Sequence, residues 1–175
     1  MKTYTPVELK KILAEHAKWL ADSSTGSRAD LQHADLQYAN LQYANLQGAN
    51  LRSADPRSAD LQGVNLKDCE LPAFQICPQK GKFIAYKKVR GGTILELEII
   101  GRCTSSLVGR KCRTAKVKVL RAIDSRQKSF VSLHDETFKY RVGKVKTEPD
   151  YDDDIREECK EGIHFFMTLE EAKAF

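Results

Sequence analysis

The sequence predicts two units: a short four-sided β-solenoid beneath an N-terminal capping helix, followed by a small α+β domain. Three observations predict this. Between residues 28 and 71 the chain repeats every five residues, as RADLQ HADLQ YANLQ YANLQ GANLR SADPR SADLQ GVNLK DCEL. Just before the repeat, residues 5–21 carry the marks of one amphipathic helix. After residue 81 the pattern becomes short alternating apolar and charged runs broken by glycine. The segments that follow are 1–27, a capping helix and loop; 28–73, the repeat; 74–81, a connector; and 82–175, an α+β domain with a basic face and an acidic C-terminal segment.

Thr5-Pro6-Val7-Glu8 has the form of a helix start, with threonine as N-cap, proline at the first helical position and glutamate closing a capping box. The spacing predicts a helix over 6–21. Leu9, Ile12, Leu13, His16 and Leu20 share one face, with Trp19 beside them. That face is expected to cover the open first coil of the solenoid.

Within the repeat, Leu31, Leu36, Leu41, Leu46, Leu51, Leu61, Leu66 and Leu71 recur in one register, Pro56 is the one exception, and a small residue stands two positions before each. A period of five fits neither the 3.6 of a helix nor the 2.0 of a strand. A chain that turns a corner every five residues keeps all these side chains inside. Four units per coil stack residues 20 apart, so nine units give about two and a quarter coils, roughly 10 Å tall at the spacing of paired strands. Both ends therefore need caps, and Phe74 and Ile76 of the connector are available for the lower one. Pro56 has no N–H to donate to a neighbouring coil, which predicts an irregularity on its side.

Outward positions are mostly glutamine, including Gln42 and Gln47, and Tyr38 and Tyr43 also face out. Only Ser58 and Gly63 stack beneath the tyrosines, so both rings are expected to be uncovered and available for docking, against the chain itself or a partner. With these A-(D/N)-L-x-x units the region resembles the pentapeptide-repeat family. The resemblance implies a right-handed quadrilateral β-helix, one unit per side. Some members act as acidic DNA mimics that bind gyrase. Residues 28–71 hold four basic and six acidic side chains over two coils, too short and too nearly neutral to favour that role, which stays a minor alternative.

In the second domain, residues 83–87 and 94–99 predict a β-hairpin, and residues 115–123 alternate apolar with basic. Short strands are expected at 130–133, 138–145 and 163–167, then a helix capped by Thr168 with Glu171.

Across 175 residues, 41% hydrophobic and 30% charged, no apolar run approaches the roughly 18 to 20 residues that span a bilayer. The N-terminus has no signal-peptide pattern, so a soluble, cytoplasmic protein of a bacterial cell is expected. Five irregularly spaced cysteines predict reduced thiols and neither a metal site nor a cofactor. Charge is unevenly spread: residues 82–149 carry 17 Lys/Arg against 6 Asp/Glu, and residues 150–175 carry 3 against 9.

No catalytic motif stands out. The most suggestive pair is Cys159 and His164, flanking a glycine turn, where the imidazole is placed to activate the thiol; the acids between residues 150 and 158 oppose this. Lys87, Lys88, Arg113, Lys116 and Lys118, with Arg90, Arg110 and Lys111, form a basic set for an anionic ligand, for nucleic acid, or for the chain's own acidic run.

Several stretches, HAKWL before the repeats, FIAYKK, RKCR, YRVGK and CKEGIHFF, together resemble pentapeptide-repeat proteins of tailed bacteriophages and prophages that carry a C-terminal domain of unknown function. The positions matching that domain are Tyr140, Gly143, Cys159, Gly162 and His164, which is where the resemblance directs attention. Two functions stay open. One is a non-catalytic interaction protein, a phage factor acting on a host or defence component, with the solenoid as scaffold. The other is an enzyme or nucleotide- or nucleic-acid-binding domain with a pocket near Cys159 and His164. An unidentified protein is the expected partner, and the self-capped ends favour a monomer.

Overall fold

The computed structural model describes residues 1–175, which divide into two units: residues 1–74 with 107–109, and residues 75–106 with 110–175. The first begins with β1 (Lys2–Thr3) and helix α1 (Pro6–Ala21). Thr5 caps the helix through a complete capping box with Glu8, as the sequence predicts. His16 is fully buried and its Nδ1 accepts the Ala29 N–H at 3.1 Å. The imidazole thus faces the first repeat, and the Trp19 ring stacked on it, 5.5 Å between centroids, lies beside Gly48. β1 pairs in parallel with β2 (Ala34–Asp35).

The repeats form a β-helix-like solenoid with a 20-residue coil. Parallel bridges join Asp30 to Asn50, Asp35 to Asp55, Asn40 to Asp60, Asn45 to Asn65 and Asn50 to Glu70. Each corner closes with an N–H donated three residues back, Ala34 to Leu31 for example, and the residue before it takes a left-handed φ, repeating through His33, Tyr38, Tyr43, Gly48, Ser53, Ser58, Gly63 and Asp68. Leu31, Leu36, Leu41, Leu46, Leu51 and Leu61 are buried; Leu66 and Leu71, in the last two units, are half-buried.

The irregularity expected at Pro56 does not occur. Leucine-position N–H groups donate forward to the next coil, as Leu36 does to Asp55 and Leu51 to Glu70. The residue Pro56 would reach is number 75, beyond the solenoid, so its missing donor costs nothing. Ser58 keeps its left-handed φ, and its N–H donates to Val108 of the 107–109 segment of the same unit. Ile76 is not a solenoid plug, since it packs against the core of the second unit.

The second unit contains β3 (Phe83–Lys88), β4 (Ile94–Ile99), β5 (Cys103–Ser105), β6 (Cys112–Thr114), β7 (Lys116–Ile123), β8 (Ser129–Val131), β9 (Lys139–Arg141), β10 (Val145–Thr147), β11 (Ile163–Phe165) and helix α2 (Leu169–Ala174). They form short antiparallel sheets ordered β10-β7-β4-β3, β11-β6-β5 and β8-β9. The predicted hairpin is β3–β4, with Lys88 opposite Ile94. The run expected over 138–145 is divided: a turn at Gly143, φ +80, separates β9 from β10. β5 and β6 lack the apolar alternation that marks a strand, and sequence reasoning missed them.

Alternation along the pleat puts Ala85 and Lys87 on the face shared by Leu95, Leu97 and Ile99, all buried. Phe166 then exchanges two backbone hydrogen bonds with Tyr86, of 2.9 and 2.7 Å, which draws the end of β11 onto the free edge of β3. No helix is long and apolar enough to cross a membrane.

Candidate functional site

A cavity of about 460 Å³ opens in the second unit where β3, β11 and α2 meet the loops at 132–138 and 148–162. Among the sequence candidates, Lys87, Lys88, Lys111, Tyr140, Cys159 and His164 line it. Gly162 does too, whereas Arg113, Lys116, Lys118 and Gly143 do not.

Two lysines define its chemistry. Lys87 is 9% exposed and Lys111 8%. Lys87 Nζ donates to the carbonyl oxygen of His164 at 3.1 Å and lies 5.6 Å from the Tyr140 ring centroid, with no carboxylate in ion-pair range. Burial first, and then the neighbouring Lys111 charge, push its amine from the usual lysine value down to about 8. Lys111 Nζ lies 3.5 Å from the Glu158 carboxylate, 3.2 Å from Cys159 Sγ and 4.9 Å from the Phe175 ring centroid. Lys88 Nζ donates to the Lys173 carbonyl oxygen at 3.1 Å.

The imidazole of His164 is held neutral. Burial, then the charges of Lys87, Lys111 and Arg113, bring it down to about 4, and its Nε2 is buried without a hydrogen-bond partner. The Cys159–His164 pairing expected from the sequence is not formed; Cys159 Sγ instead accepts from Lys111 Nζ. Tyr140 is buried, and its phenol is pushed up by burial and by the Glu148 charge. Phe138, tilted on Tyr140 at 5.3 Å, and the Phe166–Phe175 pair at 5.2 Å supply apolar wall. The wall carboxylates Asp135, Asp150 and Glu161 are exposed and Glu148 half-buried, so positive charge is concentrated on the buried side of the cavity.

Arg113 lies behind the pocket. It is buried opposite His164 in the β6–β11 pair, and its guanidinium donates to the carbonyl oxygens of Asp152, Asp154 and Glu157. It therefore clasps the acidic loop by its backbone, and the half-buried Asp152 and Asp154 carboxylates are engaged within the loop by the Asp154 N–H and by Arg156. Lys116 and Lys118 are exposed on β7, away from the cavity.

On the solenoid, Tyr38 and Tyr43 are 80% and 71% exposed. Tyr43 is not free of its neighbour in the next coil. A Cβ added at Gly63 would meet its Cδ1 at 2.5 Å, so the ring lies over the glycine backbone. Gln42 donates to Asp60, whereas the Gln47 backbone N–H is bound by the side chain of Asn45. All five cysteines are free. Cys77 Sγ accepts from Gln75 Nε2 at 2.8 Å and from the Ser105 hydroxyl at 3.4 Å, and the Cys103 thiol donates to the Pro78 carbonyl oxygen at 3.3 Å. No set of three or more His, Cys, Asp or Glu side chains is disposed to hold a metal ion.

Phe138, Phe166 and Phe175 were not singled out as site residues from the sequence, and Lys111 was named only within the basic set. The sign that was available for the pocket is the parity of β3, which sends Lys87 to the same side as Ala85.

The fold and site define a repeat solenoid joined to a pocketed α+β domain. Residues 27–71 match pentapeptide repeats, in 8 copies. Residues 73–172, more than half of the chain, match a family of unknown function, DUF5758, and the chain belongs to that family. No curated protein and no solved structure matches it.

Proposed function

We propose that this chain is an interaction scaffold whose C-terminal domain binds a small organic anion. The observation that carries the reading is Lys87: a buried cation without a carboxylate partner, beside a second buried cation, in a cavity with aromatic walls. Isolated buried charge is costly, and an anionic ligand supplies the missing counter-charge. A volume of about 460 Å³ suits a small organic molecule. The solenoid, taken as a right-handed quadrilateral β-helix, is the rigid mount, and Tyr38 and Tyr43 with Gln42 and Gln47 are its docking surface for a protein partner. On the resemblance to phage and prophage proteins, that partner is a host or defence component in the bacterial cytoplasm.

Thermal melting of the full chain with phenyllactate, phenyl phosphate and uncharged benzyl alcohol at constant ionic strength tests the pocket reading. The anions raise the melting temperature and the alcohol does not. Equal response to all three, or none, overturns it.

A further inference from the structure

Lys87 combines features that separate a reactive amine from a binding cation. Its stem runs along the apolar face of the β3–β4 hairpin, beside Ala85 and opposite Leu95. Its head has three donors, yet one protein acceptor, the His164 carbonyl oxygen. The Lys111 ammonium faces the same cavity. Desolvation together with a neighbouring cation is the arrangement that frees a lysine lone pair.

The rest of the pocket suits a carbonyl substrate. His164 Nε2 is buried without a partner behind the wall, and its neutral imidazole adds no charge to the cavity. Lys111, already paired with the Glu158 carboxylate at 3.5 Å, presents a charge that a substrate carboxylate can share, and Phe138, Phe166 and Phe175 offer an apolar wall to a side chain. Resting on the reading that the pocket takes an organic anion, we propose that Lys87 captures a 2-oxo acid with an aromatic or other apolar side chain as a reversible imine.

The step balances without any oxidant or reductant. The neutral amine's lone pair forms the N–C bond as the carbonyl π pair moves onto oxygen. One proton then passes from nitrogen to that oxygen through solvent water, giving a neutral carbinolamine. The nitrogen lone pair closes the C=N bond as the hydroxyl leaves, and the second nitrogen proton passes to the departing hydroxyl, giving water and a neutral imine. Water reverses the sequence and frees both partners.

The test is reductive trapping on the full chain. Phenylpyruvate and sodium cyanoborohydride are added near neutral pH, and labelled sites are mapped by peptide mass spectrometry. Lys87 is expected to label on the order of a hundredfold faster than exposed lysines, from the larger neutral fraction of its amine. Labelling saturates with phenylpyruvate and is competed by phenyllactate, which keeps the ring and carboxylate but lacks the carbonyl; labelling of the α-amino group does neither. Lys87→Met removes the adduct, and Lys111→Gln retains it with a higher half-saturating concentration. Labelling spread over exposed lysines with Lys87 no faster overturns imine capture. If phenyllactate still raises the melting temperature in that case, anion binding stands alone; if it does not, both fall.

Discussion

The Lys87 ammonium donates to the His164 carbonyl oxygen at 3.1 Å, joining residues 77 positions apart in sequence. The bond exists because Phe166 pairs with Tyr86 and brings β11 against the edge of β3. The same junction places His164 beside Lys87 and Lys111, so one backbone arrangement both desolvates the lysine and keeps the histidine neutral.

Burial of Lys87 costs stability. A folded value of about 8, against an ordinary 10.5, means the charged form is disfavoured in the fold by up to about 3 kcal/mol near neutral pH. Lys87→Met is therefore expected to stabilise the chain by about 1–3 kcal/mol in chemical denaturation while weakening anion binding. The wild type should gain stability as pH rises from about 8 toward 10.5, and the variant should lack that gain.

His164 sets an acid limit. Its folded value, about 4, lies below the ordinary 6.5, so the unfolded chain takes up its proton first as pH falls. Its contribution is complete above about 6.5 and declines between there and about 4, by up to about 3 kcal/mol. Buried His16, also lowered by desolvation, adds a loss of the same sign. Denaturation midpoints across that range should fall with pH, and His164→Phe should flatten part of the slope.

Arg113 is expected to be the most sensitive position in the second unit. Removing its guanidinium leaves three carbonyl groups of the 152–157 loop without their donor, and a loss of about 3 kcal/mol or more follows for Arg113→Met. Lysine cannot reproduce the fork. Trypsin cleavage after Arg156 and Lys160 should accelerate in Arg113→Met and in Arg113→Lys alike.

Pro56 and Leu36 give a paired test of the solenoid. Both are buried at equivalent positions one coil apart, yet only Leu36 donates an N–H to a following coil, at 2.9 Å to Asp55. Pro56→Leu should change stability by less than about 1 kcal/mol, and Leu36→Pro should cost at least about 2 kcal/mol through the lost bond and its orphaned acceptor. Equal effects would show that the direction of the ladder is misassigned.

Much of the first unit was legible because its information is periodic. Leucine every fifth residue identifies the inside, and the Thr5–Glu8 and Thr168–Glu171 boxes mark two helix starts. What the periodicity did not disclose is which way the coil hydrogen bonds run, and so the Pro56 expectation failed. Strands β5 and β6 escaped notice because their central residues, Thr104 and Arg113, are polar yet buried by tertiary contacts. Tyr140, Cys159 and His164 were named from resemblance and do share one cavity. The thiol partner was misjudged: His164 sits inside a strand among three cations, while Cys159 lies on the preceding loop and meets Lys111. Pockets assembled by long-range pairing leave few marks in sequence beyond the parity of a residue such as Lys87.

The most direct test of the central claim is isothermal titration of phenyllactate into the full chain and into Lys87→Met at constant ionic strength. Saturable binding at one site per chain is predicted, weakened at least about tenfold, or about 1.4 kcal/mol, by the substitution. The absence of saturable binding to the wild type, or equal affinity in both proteins, would contradict it.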